Sequence, residues 1–196
     1  MGITAHSTAI MNSLLKTHKP QNVFELGAQY LYDTSRNCMA AVSGNPVYGK
    51  DWFVSKNIKH TSIDLNKEAD ICGDILSINH DTEYDWVTDF GTIEHTTDAF
   101  VAFNNVHNWT KTGGIMIHVN PEVNSWPLHG YWWFTQEFYH NLSSICGYNL
   151  IHVERAAAMG NTVDGWDVYG VLEKTKDSSF SISRGDFYKN IKARND

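Results

Sequence analysis

The sequence predicts an α/β protein in which helices cover both faces of a mostly parallel sheet. Compact apolar runs that end at a glycine or an acid are typical of buried strands, and the chain contains several such runs. Segments with apolar residues at helical spacing lie between them. Because strands that alternate with helices usually pair in parallel, we expect three layers. A chain of 196 residues is long enough for one sizeable core, so a single domain over 1–196 is expected.

The strands are predicted from these apolar runs. The first is expected at 22–26, where the run stops at Gly27. A leading helix is expected at 8–18, because apolar residues recur there at helical spacing and Pro20 prevents continuation. A helical turn is expected at 51–58. Similar apolar runs predict six further strands, at 60–65, 69–72, 84–90, 115–119, 148–153 and 166–173.

Two later segments have the apolar spacing of helices. The first segment is expected to present one face made of His95, Ala99, Ala102, Val106 and Trp109. The second has a stripe made of Phe134, Phe138, Leu142 and Ile145, followed by Gly147 at a C-cap position. The segment 154–165 has a flexible composition. The tail at 177–196 is polar, and its candidate docking points are Phe180, Phe187 and Tyr188.

Composition excludes several classes of protein. The formal net charge of −7 and the lack of a basic stretch argue against a nucleic-acid partner. The three cysteines are widely spaced, so neither a disulfide framework nor a zinc knuckle is expected. No signal peptide and no apolar run of the ~20 residues that a membrane helix needs is evident. A cytoplasmic protein without membrane contact is therefore expected.

Acidic residues follow three of the predicted strands. Parallel sheets bind ligands where the carboxyl ends of the strands meet the loops, and these ends carry Glu25, Asp64 and Asp74. A carboxylate has two acceptor oxygens that match the vicinal hydroxyls of a ribose, and Asp64 is placed for that role. Leu65 beside it can cover an adenine ring, and Asp74 with Ile75 offers a similar pair. The alternative is that these acids only cap loops.

Taken together, five segments resemble the class I S-adenosylmethionine-dependent methyltransferases. These segments are Val-Phe-Glu-Leu-Gly (23–27), Ser-Ile-Asp-Leu-Asn (62–66), Gly-Asp-Ile (73–75), the run 84–95 from Tyr-Asp-Trp to Ile-Glu-His, and Thr-Gly-Gly-Ile-Met-Ile-His-Val-Asn-Pro (112–121). The resemblance covers about 20–175, which is the expected core. It implies a Rossmann-like, seven-stranded, mostly parallel sheet with a C-terminal antiparallel hairpin, and S-adenosylmethionine as the cofactor.

The resemblance also implies roles for individual residues. Glu25 and Gly27 match the first motif, in which the glycine lets the backbone approach the methionine part of the cofactor. Ala28 and Gln29 follow in the same loop and are candidate cofactor contacts. The remaining matches are Asp64 for the ribose, Leu65 for the adenine face, Asp74 and Ile75 for the adenine edge, and Phe90 after the fourth strand.

The first loop departs from the family pattern, because Gly27 is its only glycine. A dinucleotide's pyrophosphate needs bare backbone at a helix N-terminus, which repeated glycines provide. S-adenosylmethionine has no phosphate and carries a sulfonium, so a single glycine counts against NAD and less against this cofactor. The long gap between Gly27 and Asp64 predicts an inserted segment over the cofactor.

The histidines are the candidate catalytic residues. His95 follows Glu94 directly after the fourth strand, and His129 lies after the fifth. A histidine there is suited to act as general base for an acceptor that must lose a proton, and the alternative is a capping or loop-ordering role. No His-x-x-x-His pair or similar ligand spacing is present, so no metal site is expected.

An aromatic cluster predicts an apolar acceptor pocket. Its members are Trp126, Tyr131, Trp132, Trp133 and Phe134, although Phe134 also belongs to a helical core stripe. The sequence thus favours a methyltransferase for a small-molecule or sugar-like acceptor. A non-catalytic protein that binds the cofactor or a partner on the same fold is the alternative. The oligomeric state is left open.

Overall fold

The computed structural model describes residues 2–33, 38–42, 45–157 and 165–193, and its centre is a seven-stranded sheet. Along the chain the strands are β1 (Asn22–Leu26), β2 (Lys59–Asp64), β3 (Ile71–Cys72), β4 (Tyr84–Phe90), β5 (Thr110–Pro121), β6 (Asn149–Ala157) and β7 (Trp166–Glu173). Their order across the sheet is β6-β7-β5-β4-β1-β2-β3. The five strands from β5 to β3 pair in parallel, whereas β7 pairs antiparallel with both β5 and β6. The predicted sheet with its C-terminal hairpin is therefore confirmed.

Helices cover both faces of the sheet. They are α1 (Ala5–Leu14), α2 (Gly49–Ser55), α3 (Ala99–Trp109), α4 (Gln136–Cys146) and α5 (Arg184–Lys189), and a 3₁₀ turn spans Ile93–His95. Two-residue strands pair Tyr32–Asp33 with Cys38–Met39, Ala41–Val42 with Asn45–Pro46, and Trp132–Trp133 with Lys192–Ala193. Within the described ranges, no helix is long and apolar enough to cross a bilayer.

Each face of the sheet has its own core, because neighbouring residues of a strand point to opposite faces. In β1, Phe24 belongs to the cluster that includes α3, α4 and Phe187 of α5, whereas Val23 belongs to the cluster that includes α1 and Phe53 of α2. In β4, Val87 and Trp86 divide in the same way. The expected three layers are thus present.

Several helix boundaries differ from the prediction because side chains cap the backbone. The first helix begins at Ala5, since the Thr4 side chain accepts from the backbone N–H of Ser7 at 3.2 Å. His95 lies outside α3, whose N-cap is Asp98. Phe134 precedes α4, whose N-cap is Thr135. Ile145 lies in α4 as predicted but is exposed, unlike Phe138 and Leu142 of the same stripe.

The last strands also extend beyond their predicted limits. The fifth strand starts at Thr110, immediately after α3, so Gly113 and Gly114 lie inside it. Residues 154–157 of the segment that was expected to be flexible belong to β6, and residues 158–164 lie outside the described ranges. In the tail, Phe187 is fully buried and packs against Phe100 and Phe103 of α3 at ring-centroid distances of 5.6 and 5.4 Å.

The connection that follows β5 is anchored on β7 by a buried acid. The indole Nε1–H of Trp126 donates to Asp167 Oδ1 at 2.9 Å. Burial raises the pKa of Asp167 to about 7, and the negative charge of Glu94 acts in the same direction. The hydrogen bond from Trp126 opposes this shift without cancelling it.

The buried Asp167 predicts a stability that depends on pH. A carboxyl group whose pKa is higher in the folded than in the unfolded chain destabilises the folded state as pH rises from about 4 to about 7. Asp167→Asn retains an acceptor for Trp126 and removes the charge. We expect the free energy of unfolding of this variant, relative to wild type, to rise by up to about 1.4 kcal/mol per pH unit in that window.

Urea denaturation of both proteins between pH 4.5 and 8 measures this difference. Asp81→Asn changes an exposed carboxylate and controls for the altered net charge. Parallel pH profiles for wild type and Asp167→Asn would contradict the assignment.

Candidate functional site

A cavity of about 490 Å³ opens at the carboxyl ends of β1, β2 and β4. Such a site is where parallel sheets bind ligands, because loops diverge there on either side of the first strand. The cavity brings together most of the residues that the sequence singles out, namely Gly27, Ala28, Gln29, Asp64, Leu65, Asp74, Ile75 and His95. Thr92, Thr96 and Thr97 line the side nearest β4.

Gly27 makes the turn at the base of this cavity. Its φ of +82° lies in the region that favours glycine, and its N–H donates to Ile63 of β2 at 2.7 Å. A Cβ at this position would lie 2.4 Å from Gln29 Nε2 and 2.8 Å from Thr92 Oγ1. Only glycine therefore fits this turn without displacing its neighbours.

The Gln29 side chain stabilises the loop after β1, in which Gly27 is the only glycine. The side-chain amide of Gln29 donates to the carbonyl of Leu26 at 3.1 Å and to Thr92 Oγ1 at 2.9 Å. The Thr92 hydroxyl in turn donates to the same carbonyl at 2.8 Å. These bonds join the loop after β1 to the loop after β4. No sequence pattern indicates Thr92, because its role depends on a partner far away in the chain.

Asp64 faces the cavity with its carboxylate already oriented. Oδ2 accepts from the backbone N–H of Ala28 at 2.9 Å, and Oδ1 accepts from that of Asn66 at 3.1 Å. Each oxygen retains further acceptor capacity. The neighbouring Leu65 is 75% exposed at the rim of the cavity, where it can pack against a planar ligand.

Asp74 and Ile75 line the opposite wall. The exposed Asp74 carboxylate accepts from the N–H of Leu76 at 2.9 Å, which is the loop-capping alternative raised for this residue. Ile75 is buried, and its carbonyl accepts from the side chain of Asn105 in α3 at 2.7 Å. This wall is therefore held by α3.

Two residues matched to the family's cofactor site lie elsewhere. The buried Glu25 carboxylate is 3.1 Å from His60 Nε2 and accepts from the Gln29 N–H at 3.4 Å, beside a separate cavity of about 180 Å³. Burial raises the pKa of Glu25, against the effect of His60. Phe90 is fully buried in the α1 and α2 core, on the face away from α3. The alternation of side chains along β1 and β4 accounts for both placements.

A buried carboxylate sets the turn that follows β4. Asp89 Oδ1 accepts from the backbone N–H groups of Thr92 and Ile93 at 2.9 and 3.1 Å. Its Oδ2 accepts from Asn120 Nδ2 at 2.8 Å and lies 3.2 Å from His118 Nδ1, both in β5. These bonds fix the position of the 3₁₀ turn at Ile93–His95. The sequence pattern does not indicate Asp89 for this role, because the run 84–90 also contains Asp85 and the pattern does not distinguish the two acids.

The turn places Glu94 and His95 beside His129. Glu94 Oε1 lies 3.8 Å from His95 Nε2 and 3.6 Å from His129 Nε2, and the two imidazole rings have centroids 4.6 Å apart. Burial raises the pKa of the Glu94 carboxyl to about 7, with a further contribution from Asp89. Burial also lowers the pKa of His95, although Glu94 opposes this. The three candidate catalytic residues are thus close together, and of these His95 lines the cavity.

The predicted aromatic pocket is not a single cluster. Trp132 donates to the carbonyl of Thr96 at 2.8 Å and packs against Tyr188 of the tail at a ring-centroid distance of 5.0 Å. Phe134 is fully buried in the core, Trp126 is bound to Asp167, and Tyr131 is 57% exposed. Adjacent positions in a sequence do not share a direction, so these rings separate.

Comparison with known proteins gives matches in structure only. No protein-family model matches the chain, and no curated protein matches it. The 1,6-didemethyltoxoflavin-N1-methyltransferase of Burkholderia thailandensis, with bound 1,6-didemethyltoxoflavin and S-adenosylhomocysteine, is 14% identical, with a TM-score of 0.62 over 88% of this chain and 78% of that one. The N-methyltransferase NodS of Bradyrhizobium japonicum WM9, in complex with S-adenosylhomocysteine, is 12% identical, with a TM-score of 0.59 over 88% and 89%.

A further similar structure is the [4+2]-cyclase SpnF, which is 10% identical with a TM-score of 0.59 over 87% of this chain and 82% of that one. At such low sequence identity, the structural similarity shows the fold alone. Together with the strand order and the position of the cavity, it shows that the chain has the Rossmann-like fold of the class I S-adenosylmethionine-dependent methyltransferases.

Proposed function

We propose that this protein is an S-adenosylmethionine-dependent methyltransferase that acts on a small-molecule or sugar-like acceptor. The observation that carries the proposal is the cavity at the ends of β1, β2 and β4, which is lined by Gly27, Asp64 and Leu65, three residues matched to the family's motifs. The similar structures that contain S-adenosylhomocysteine support it. We expect the protein to work in the cytoplasm without a nucleic-acid partner.

The residues of the cavity fit S-adenosylmethionine. Asp64 retains acceptor capacity for the ribose hydroxyls, Leu65 can cover the adenine, and Asp74 with Ile75 forms the wall at its edge. Gly27 lines the same cavity, and the space that a Cβ would fill there is taken by Gln29 and Thr92. When bound, the cofactor supplies an electrophilic methyl group on a sulfonium, and the acidic lining suits this positive charge.

The same loop is poorly suited to a dinucleotide. The backbone N–H of Ala28 already donates to Asp64, and that of Gln29 donates to Glu25. A pyrophosphate needs free backbone N–H groups at this position. Two carboxylates beside the loop would also repel it. This geometry supports the sulfonium cofactor over NAD.

At the acceptor end, His95, Glu94 and His129 are the residues proposed to act on the acceptor. His95 lines the cavity, and burial lowers its pKa, which favours the neutral ring that a general base requires. Methyl transfer is an in-line displacement, so alignment of the acceptor with the methyl group can contribute ~7–11 kcal/mol without a dedicated base.

A second candidate is cofactor binding without methyl transfer. The structural similarity to the [4+2]-cyclase SpnF supports this candidate, because that protein is named for a reaction other than methyl transfer. Titration calorimetry with S-adenosylmethionine, S-adenosylhomocysteine and NAD tests the cofactor, and turnover with candidate acceptors tests the reaction. No heat with either sulfur compound would contradict both candidates.

Asp64→Ala should weaken the binding of S-adenosylhomocysteine. Loss of a hydrogen bond to a charged acceptor costs about 1.5–3 kcal/mol, which corresponds to a roughly 10–150-fold higher dissociation constant. Calorimetry measures the change, and Asp81→Ala, an exposed acid outside this cavity, is the control. Equal affinity of Asp64→Ala and wild type would refute the ribose assignment.

Gly27→Ala should abolish binding of S-adenosylhomocysteine beyond its effect on stability. The added Cβ would collide with Gln29 and Thr92 and disrupt the bridge under the cavity. Gly113→Ala is the matched control, because Gly113 has a φ of +79° and a Cβ at that position would meet nothing within 4 Å. Both variants should lose about 1–2 kcal/mol of stability from the positive φ.

Calorimetry and urea denaturation of the two variants separate these effects. A Gly27→Ala protein that binds S-adenosylhomocysteine as tightly as Gly113→Ala would show that the contact between Gln29 and Thr92 is not required for binding.

A further inference from the structure

We propose that Glu94, His95 and His129 form a binding site for a divalent transition-metal ion at the acceptor end of the cavity. Each side chain offers one ligand atom, and the three atoms lie within 4.8 Å of one another. The spacing of histidines along the chain predicts no metal site. It misses this one because the ligands come from two segments that β5 separates.

The distances are close to those of a metal site. With bonds of about 2.1 Å, two ligands of a tetrahedral zinc ion lie about 3.4 Å apart. The Glu94 oxygen is 3.6 Å from His129 Nε2 and 3.8 Å from His95 Nε2. The distance from Glu94 to His95 must shorten when a metal ion binds. The His95 side chain is 46% exposed and has room to turn. Two imidazoles and one carboxylate are ligands typical of zinc, cobalt and related ions.

The Glu94 carboxylate supplies an independent indication that a cation belongs here. The residue has no exposed surface, and its carboxylate oxygens accept no hydrogen bond from any other residue in the part of the chain that the structure describes. A buried carboxylate is costly unless it is paired, protonated or bound to a metal. The negative charge of Asp89 acts on Glu94 and also favours a cation at this point.

Backbone contacts hold the two ligand segments together. The N–H of Tyr131 donates to the carbonyl of Glu94 at 2.6 Å, and a Cβ on Gly130 would lie 2.9 Å from Glu94 Cγ. Trp126 and Leu128 adopt φ values of +52° and +59°, which are unfavourable for large side chains. Strain of this kind is maintained where surrounding structure requires one particular path, and here that path brings His129 to Glu94.

A three-ligand site leaves a coordination position for water or substrate. Because His95 also lines the cavity, that position would face the acceptor, and an acceptor with an oxygen atom suits it. This last step rests on the proposed methyltransferase function, whereas the metal site itself does not. With the ion bound, His95 serves as a ligand instead of a general base.

Cobalt(II) titration of the tag-free full chain tests the site, because bound Co²⁺ gives visible d–d absorption. We expect a single equivalent to bind wild type, and Glu94→Gln and His129→Ala to lose at least the roughly 10–100-fold in affinity seen when even an outer partner of a metal ligand is removed. His152→Ala is the matched control, because His152 and His6 share Glu154 in a second, more exposed group. This variant should retain the signal.

Thermal unfolding with Zn²⁺ gives a second readout. A ligand that binds only the folded state raises its stability, so wild type and His152→Ala should be stabilised, and Glu94→Gln and His129→Ala should not. Absence of d–d bands in wild type, or bands unchanged in both ligand variants, would overturn the proposal. Calorimetry with S-adenosylhomocysteine on the same samples shows separately whether the proposed cofactor binds.

Discussion

The buried Asp89 carboxylate is the interaction on which the arrangement of the site depends. One oxygen accepts from the backbone of Thr92 and Ile93, and the other accepts from Asn120 in the adjacent strand. Asn120 in turn accepts from the hydroxyl of Tyr139 in α4 at 2.5 Å. A helix, two strands and the turn after β4 are thereby tied to one carboxylate. The same turn carries the residues that reach the loop after β1 and the segment after β5.

This arrangement explains how a loop with one glycine can serve the cavity. In a loop with repeated glycines, the backbone itself provides the free N–H groups. Here the N–H groups of Ala28 and Gln29 are bound to Asp64 and Glu25, and the Gln29 side chain reaches Thr92. The loop is therefore organised around carboxylates. Its electrostatic character opposes a phosphate and favours a positively charged ligand.

The features that could be predicted best from the sequence depend on neighbouring residues in the chain. The bounds of β1, β4 and β7 match the predicted runs, because each run is compact and apolar. Glu25 and Phe90 stand at the correct strand ends yet face away from the cavity, because register on a strand decides which face a side chain occupies. The bridge from Gln29 to Thr92 could not be predicted from spacing, since these loops meet only where β1 and β4 lie side by side.

The two ends of the cavity differ in how their acids are compensated. At the proposed cofactor end, Asp64 and Asp74 accept hydrogen bonds from backbone N–H groups, so their charges are stabilised before any ligand binds. Glu94 accepts no hydrogen bond from the backbone of another residue within the described structure. The first arrangement is preorganised for neutral hydroxyl and amino groups, which need only an acceptor. The second lacks positive charge, and a cation beside His95 and His129 would supply it.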